Sequence, residues 1–349
     1  MADLNAVVRR RARKLLDKRN VVAVGIGEKV TGGLKTGRPA IVVSVERKQN
    51  LAELSGEDQV PREVDGAETD VIETGPIRAL AETEQQEAVQ EYTDRRRPAV
   101  PGLSIGHKEI TAGTFGCVVT NDAGNVFVLS NNHVLAASNA AALDDEILQP
   151  GPHDGGTLPN DVIARLHEFV PIQFDGPGGG DDGPPSGCRN ANAFARIANG
   201  VLGLLGRRTR IRVYETQAVN RVDAAIARPV SPSLIHPEVI GLGRLTGSTQ
   251  PAVGEPVHKS GRTTETTHGE VSQVNVTARV QYGAGRTATF EGQAVVTSSA
   301  GPFSQGGDSG SAVVDDENRF VGLLFAGSDQ ITLINPAADV LEAFGVEPL

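Results

Sequence analysis

At 349 residues the chain is long enough for more than one hydrophobic core. A formal charge of −10 argues against general affinity for nucleic acid or anionic membrane, since both reward a basic surface. With 41 Gly, 20 Pro and no Trp, the composition favours short strands and many turns over long helices.

Residues 1–20 carry Arg9, Arg10, Arg11, Arg13, Lys14, Lys18 and Arg19 against only Asp3 and Asp17. Leu4, Val8, Leu15 and Leu16 fall on one face, so an amphipathic helix ending near Asn20 is expected, with its basic face in solvent. Two β-rich runs, VVAVGIG at 21–27 and AIVVSV at 40–45, flank a turn around Gly32 and Gly33, and TDVIE at 69–73 supplies a further strand. Residues 1–79 therefore read as a small α/β module, with substrate recruitment, oligomerisation and restraint of the cleft as its candidate roles and no feature of the sequence that favours one of them. Residues 80–100, with Glu82, Glu84, Glu87 and Glu91 before Arg95, Arg96, Arg97 and Pro98, read as an exposed charged linker.

From residue 101 to 349 the pattern is one of repeated short strands, expected at 116–120, 125–130, 223–227, 270–280, 293–297, 311–314 and 320–325. Gly and Asn turns between them point to a β-barrel or sandwich rather than a parallel α/β sheet. An insertion at about 175–210 interrupts this pattern. It combines the loop DGPGGGDDGPPSG at 175–187 with a mainly helical stretch at 190–205. A short helix is expected at 337–344, after Pro336.

Three motifs carry chemistry. QGGDSGS at 305–311 surrounds one Asp and one Ser with glycines, which lets the backbone turn sharply, exposes Ser309 and leaves amide N–H groups facing a common hollow. VFVLSNNHVLA at 126–136 is an apolar strand that delivers His133 into a small-residue turn. NRVDAAIAR at 220–228 sets Asp223 alone in an apolar run, where an unpaired carboxylate is costly and a histidine partner would compensate it.

In motif and in chain order, His then Asp then Ser, these three resemble the chymotrypsin-like serine peptidases over about residues 100–349. The resemblance implies a mainly β fold of two antiparallel six-stranded barrels with the active site between them. It implies a catalytic triad of His133, Asp223 and Ser309, and an oxyanion hole formed by the backbone N–H groups of Gly307 and Ser309. KSGRTT at 259–264 is similar to a segment of bacterial members, and VGLLFAG at 321–327 to the strand that pairs with the substrate backbone. It implies substrate contacts at Phe303, Phe325, Ala326 and Gly327. With no acidic group at the pocket base near Phe303, a small or apolar residue is expected before the cleaved bond, rather than Arg or Lys. Asp308 is expected to be structural, and no Ile-Val-Gly-Gly type segment precedes His133 to insert beside it.

The expected function is a serine endopeptidase acting on protein or peptide substrates. The alternative is a catalytically silent scaffold of the same fold that binds a protein partner. An esterase reading of Gly307-Asp308-Ser309 fails because such enzymes place the Ser near the N-terminus, at the start of a helix, with His downstream. No metal or organic cofactor is indicated, and no nucleic-acid partner. No stretch reaches the roughly 20 apolar residues of a membrane span, and residues 1–20 lack the apolar core of a secretion signal. Cys117 and Cys188, far apart, are expected to be reduced and structural, which together suggests the cytoplasm.

Overall fold

The computed structural model describes residues 3–80, 90–175 and 219–349. The chain opens with helix α1 (Leu4–Leu16), whose first turn is capped by Asp3 accepting from the Ala6 N–H. Its apolar face, Val7, Val8, Ala12, Leu15 and Leu16, is buried against β1 (Val21–Thr31) and β2 (Leu34–Val45). Asn20, expected as the last helical residue, instead takes a left-handed φ of 75° and turns the chain into β1. A short β3 (Glu63–Val64) precedes β4 (Ala67–Glu73), which runs parallel to β2. A two-residue strand, β5 (Arg78–Ala79), ends the segment.

Helix α2 (Gln90–Thr93) leads into the first barrel. Residues 90–100 are not the exposed tether that their charges suggest. Tyr92, Ala99 and Val100 are buried, Arg95 pairs with Asp161 at 2.8 Å, and Arg97 binds the Gln149 carbonyl. Arg95 and Arg96 remain exposed, so the docking rests on the buried Tyr92, Ala99 and Val100 and on these few polar bonds.

The first barrel contains β6 (Ser104–His107), β7 (Gly113–Thr114), β8 (Cys117–Asn121), β9 (Val126–Ser130), the one-turn helix α3 (Asn132–Leu135), β10 (Glu146–Leu148), β11 (Val162–Phe169) and β12 (Ala225–Pro229). Strands pair in the order β8-β9-β12-β11-β10-β6-β7. Because β7 and β8 are halves of one stretch, 113–121, the ring closes. Phe115 donates to Leu103 on one side and Gly116 to Leu129 on the other. Closure removes the exposed strand edges.

The second barrel is a ring of β14 (Pro256–Gly261), β15 (Glu265–Tyr282), β16 (Arg286–Thr297), β19 (Thr332–Pro336), β18 (Arg319–Gly327) and β17 (Ala312–Val314), which pairs back to β14; β13 (Gly247–Ser248) lies alongside β18. The pair of six-stranded barrels implied by the sequence is present. Helix α4 (Ala337–Phe344) occupies the expected span, and β20 (Val346–Pro348) returns to pair β8. A buried layer drawing on both barrels, including Cys117, Phe127, Leu129, Phe320, Leu323 and Val340, joins them. Cys117 is a free thiol whose pKa burial raises to about 12.

β15 extends beyond the ring, and β1 pairs antiparallel with it, Ala23 opposite Ala278 and Gly27 opposite Gln273. The sheet of the N-terminal segment is thus continuous with the second barrel. The insertion expected at 175–210, with its helix and Cys188, lies outside the described residues apart from Asp175. No helix among the described residues is long and apolar enough to cross a membrane, and none of their His, Cys, Asp or Glu side chains cluster to hold a metal.

Candidate active site

His133 follows β9 on the single turn α3. Two asparagines before it set the turn. Asn131 Nδ2 donates to the Asp223 carbonyl at 2.7 Å, while Asn132 exchanges hydrogen bonds with Asn139, Nδ2 to Oδ1 at 2.8 Å and Asn139 N–H to Asn132 Oδ1 at 3.0 Å. Asp223 lies just before β12, rather than within the strand expected at 223–227. Its N–H donates to Asn335 Oδ1 at 3.0 Å, and Asn335 Nδ2 in turn donates to Gln293 Oε1 at 2.6 Å, so both barrels hold its backbone.

The Asp223 carboxylate is completely buried, and three donors compensate for its lost water. His133 Nδ1 lies 2.6 Å from Oδ2, the His133 N–H donates to Oδ1 at 3.2 Å, and the Tyr282 hydroxyl donates to Oδ2 at 2.8 Å. Proton placement on the ring is assigned from these partners. An acceptor at Nδ1 puts the proton there and leaves Nε2 as the basic nitrogen. Nε2 is buried and has no hydrogen-bond partner. Burial and then the neighbouring Asp223 charge push the Tyr282 phenol well above its usual range, which keeps it a donor.

Ser309 stands on the turn between β16 and β17. Gly307 and Gly310 have φ of +92° and +94°, and a Cβ at Gly310 would meet Ser130 Oγ at 2.0 Å, so only glycine fits there. The loop is anchored by Asp308, which accepts from the N–H groups of Gln305 at 2.9 Å, Thr263 at 2.9 Å and Thr264 at 3.2 Å, and from Thr264 Oγ1 at 2.7 Å. Buried Lys259 lies 3.5 Å from the same carboxylate, its pKa lowered by burial against the pull of Asp308. The 259–264 segment is therefore the cradle of the 305–311 loop, and the Asp308 side chain is spoken for by it.

Val134 and the Ser309 backbone close on one glycine. A Cβ at Gly113 would lie 2.5 Å from Val134 Cγ2 and 3.0 Å from the Ser309 carbonyl oxygen, which also accepts from the Thr114 N–H at 2.7 Å. His133 and Asp223 are bonded directly, and the loop carrying Ser309 meets the residue after His133 across Gly113. The Ser309 hydroxyl donates to the Phe325 carbonyl at 3.5 Å, at the limit of a hydrogen bond, rather than to His133.

Phe303 is buried in the second-barrel core with Val257, Val271 and Leu324. Phe325, Ala326 and Gly327 form the end of β18, and their polar backbone is occupied. β5 lies antiparallel to them, with Ala79 opposite Ala326 and Arg78 opposite Gly327. The Leu80 N–H donates to the Phe325 carbonyl at 3.3 Å, and the Gly307 N–H donates to the Leu80 carbonyl at 3.0 Å. Sequence reasoning missed this strand, and it missed Tyr282, Asn131 and Asn335. A tyrosine in the apolar alternation of β15 was the one available signal, because a buried hydroxyl requires a partner.

No protein-family model matches the sequence, and no curated protein does. Solved structures of similar shape include a glutamic-acid-specific serine protease that uses a histidine triad in substrate binding (17% identity, 72% of this chain, 100% of that one, TM-score 0.44). Others are Thermobifida fusca protease A (16%, 72% and 99%, 0.43) and Cellulomonas bogoriensis chymotrypsin (15%, 72% and 97%, 0.41).

Proposed function

We propose that the protein is a serine endopeptidase with His133, Asp223 and Ser309 as its triad. The observation that carries this reading is the 2.6 Å bond from His133 Nδ1 to a buried Asp223, which leaves Nε2 as the basic nitrogen, buried and without a partner. A purely structural histidine at that depth would have both nitrogens satisfied.

A serine hydroxyl is too weak an acid to ionise near neutral pH, so His133 Nε2 takes its proton as Oγ attacks the substrate carbonyl. Asp223 holds the tautomer and stabilises the imidazolium, and Tyr282 shares the charge of that carboxylate. The negative oxygen of the tetrahedral intermediate is received by the Gly307 and Ser309 N–H groups; losing one such donor typically costs about 2.7–4 kcal/mol. His133 returns the proton to the leaving amine, and water then hydrolyses the acyl-enzyme.

Turnover of a peptide substrate is expected to fall by roughly 10⁴–10⁶ in Ser309→Ala and in His133→Ala. Fluorophosphonate should label the native chain and not the Ser309→Ala chain. Equal turnover in the native and Ser309→Ala proteins would leave a binding scaffold as the better description.

A further inference from the structure

Residues 77–80 occupy the place that the proposed reaction reserves for a substrate. A peptide bound for acyl transfer adds as a strand to an enzyme edge, with the carbonyl to be attacked turned toward the oxyanion donors. The paired strand and a carbonyl bonded to one of the two proposed donors are present within the chain itself. β5 pairs antiparallel with β18, and the Leu80 N–H bonds the Phe325 carbonyl, the same oxygen that the Ser309 hydroxyl contacts. The Leu80 carbonyl accepts from Gly307, two residues before Ser309.

The side chains agree with the backbone. Leu80 packs against the cluster holding Phe303 and Leu324, and its Cδ1 lies 3.5 Å from where a Cβ at Gly327 would stand. Ala79 packs against the cluster of Tyr282 and Phe325, while the Ile77 carbonyl accepts from the Gln281 N–H at 2.9 Å on the opposite side. A strand serving only to complete a sheet has no need to present one carbonyl to the amide beside a nucleophile.

We propose that residues 77–80 are the enzyme's own first substrate, and that Ser309 cleaves the peptide bond on the carboxyl side of Leu80 within the same molecule. The inference rests on the peptidase reading above. Ser309 Oγ bonds to the Leu80 carbonyl carbon, its proton passes to His133 Nε2 and then to the departing amine, and the C–N bond breaks. Water cleaves the resulting ester, giving its hydroxyl to the Leu80 carboxyl and a proton back to Ser309. Until the cut strand leaves, it blocks the cleft to other substrates.

Intact mass under denaturing conditions tests this on the full chain. The native protein should resolve into two pieces divided after Leu80, with a first-order rate independent of protein concentration, while Ser309→Ala stays whole. Leu80→Asp, which puts a carboxylate into an apolar pocket, should also stay whole yet label with fluorophosphonate, which shows that its site is folded. A native chain that remains whole while it or Leu80→Asp labels and cleaves casein overturns self-cleavage and leaves the peptidase reading standing. A native chain that stays whole, with no labelling or casein cleavage in either protein, overturns both. Cleavage whose rate rises with concentration overturns the intramolecular route.

Discussion

The Tyr282 hydroxyl and the His133 imidazole meet on one oxygen, Oδ2 of Asp223, at 2.8 and 2.6 Å. A hydrogen bond to a charged group contributes about 1.5–3 kcal/mol, so Tyr282→Phe should lower kcat/KM by roughly tenfold to a hundredfold while leaving the triad in place. Because burial and the Asp223 charge raise the phenol pKa, Tyr282 stays protonated beyond pH ~10. The alkaline limb of the rate profile should therefore coincide in the native and Tyr282→Phe proteins. An alkaline limb present only in the native protein would show that tyrosine ionisation governs it.

Gly310 makes the 305–311 loop sensitive to one methyl group. Gly310→Ala sets a Cβ 2.0 Å from Ser130 Oγ and 2.4 Å from the Thr114 carbonyl at a left-handed φ. Backbone strain and overpacking each cost about 1–3 kcal/mol. The variant should unfold at lower denaturant than native and lose fluorophosphonate labelling.

Lys259 faces Asp308 with neither side chain exposed. Removing one partner of a buried pair typically costs about 3–5 kcal/mol, because the other is left uncompensated. The four donors that Gln305, Thr263 and Thr264 direct at Asp308 place Lys259→Met near the lower end, about 3 kcal/mol, measurable by urea unfolding. A loss below about 1 kcal/mol would mean those donors suffice alone.

Asp145 supplies a pH signature on the first barrel. Burial pushes its carboxyl up, but bonds from Lys108, the Ala142 N–H and His107 outweigh it and hold the pKa at about 2. Against an unfolded value of ~3.9, the folded state favours the charged form. The stabilisation is fully present above pH ~4 and is lost as pH falls toward 2. The stability gap between native protein and Asp145→Asn should therefore be constant near neutrality and close over that acid window; a gap that widens there would contradict the sign.

Peptide substrates report on the pocket that Leu80 fills. Phe303 and Gly327 offer no carboxylate to a basic side chain, so a p-nitroanilide ending in Ala-Leu should exceed its Ala-Arg counterpart in kcat/KM by about tenfold or more. The opposite order would remove Phe303 from the pocket base.

Strand alternation and turn residues made the barrel strands at 117–121, 126–130 and 319–327 legible, because local pattern governs them. β10 and β11 escaped, since EIL is only three residues long and VIARLHEF interrupts its apolar run with Arg165, His167 and Glu168. His133 and Asp223 stood out as polar groups in apolar settings, and the fold bonds them directly. Tyr282 and Leu80 lie 149 residues after and 53 before His133; a tyrosine in an apolar alternation is the one local mark of the first, nothing local marks the second, and only sheet closure brings them in. Composition says least at 90–100, where Glu91, Asp94, Arg95 and Arg96 are exposed as their charge implies, yet Tyr92, Ala99 and Val100 between and after them are buried and dock the stretch.

The seam between β1 and β15 bears on what a cut after Leu80 would do. Four register pairs along it, from Ala23–Ala278 to Gly27–Gln273, together with the Arg13–Glu291 ion pair, do not involve the bond that would be severed. A nicked molecule would therefore migrate as one body in gel filtration, its severed piece still clasped, and the trace of processing would surface only once the sheet itself was taken apart.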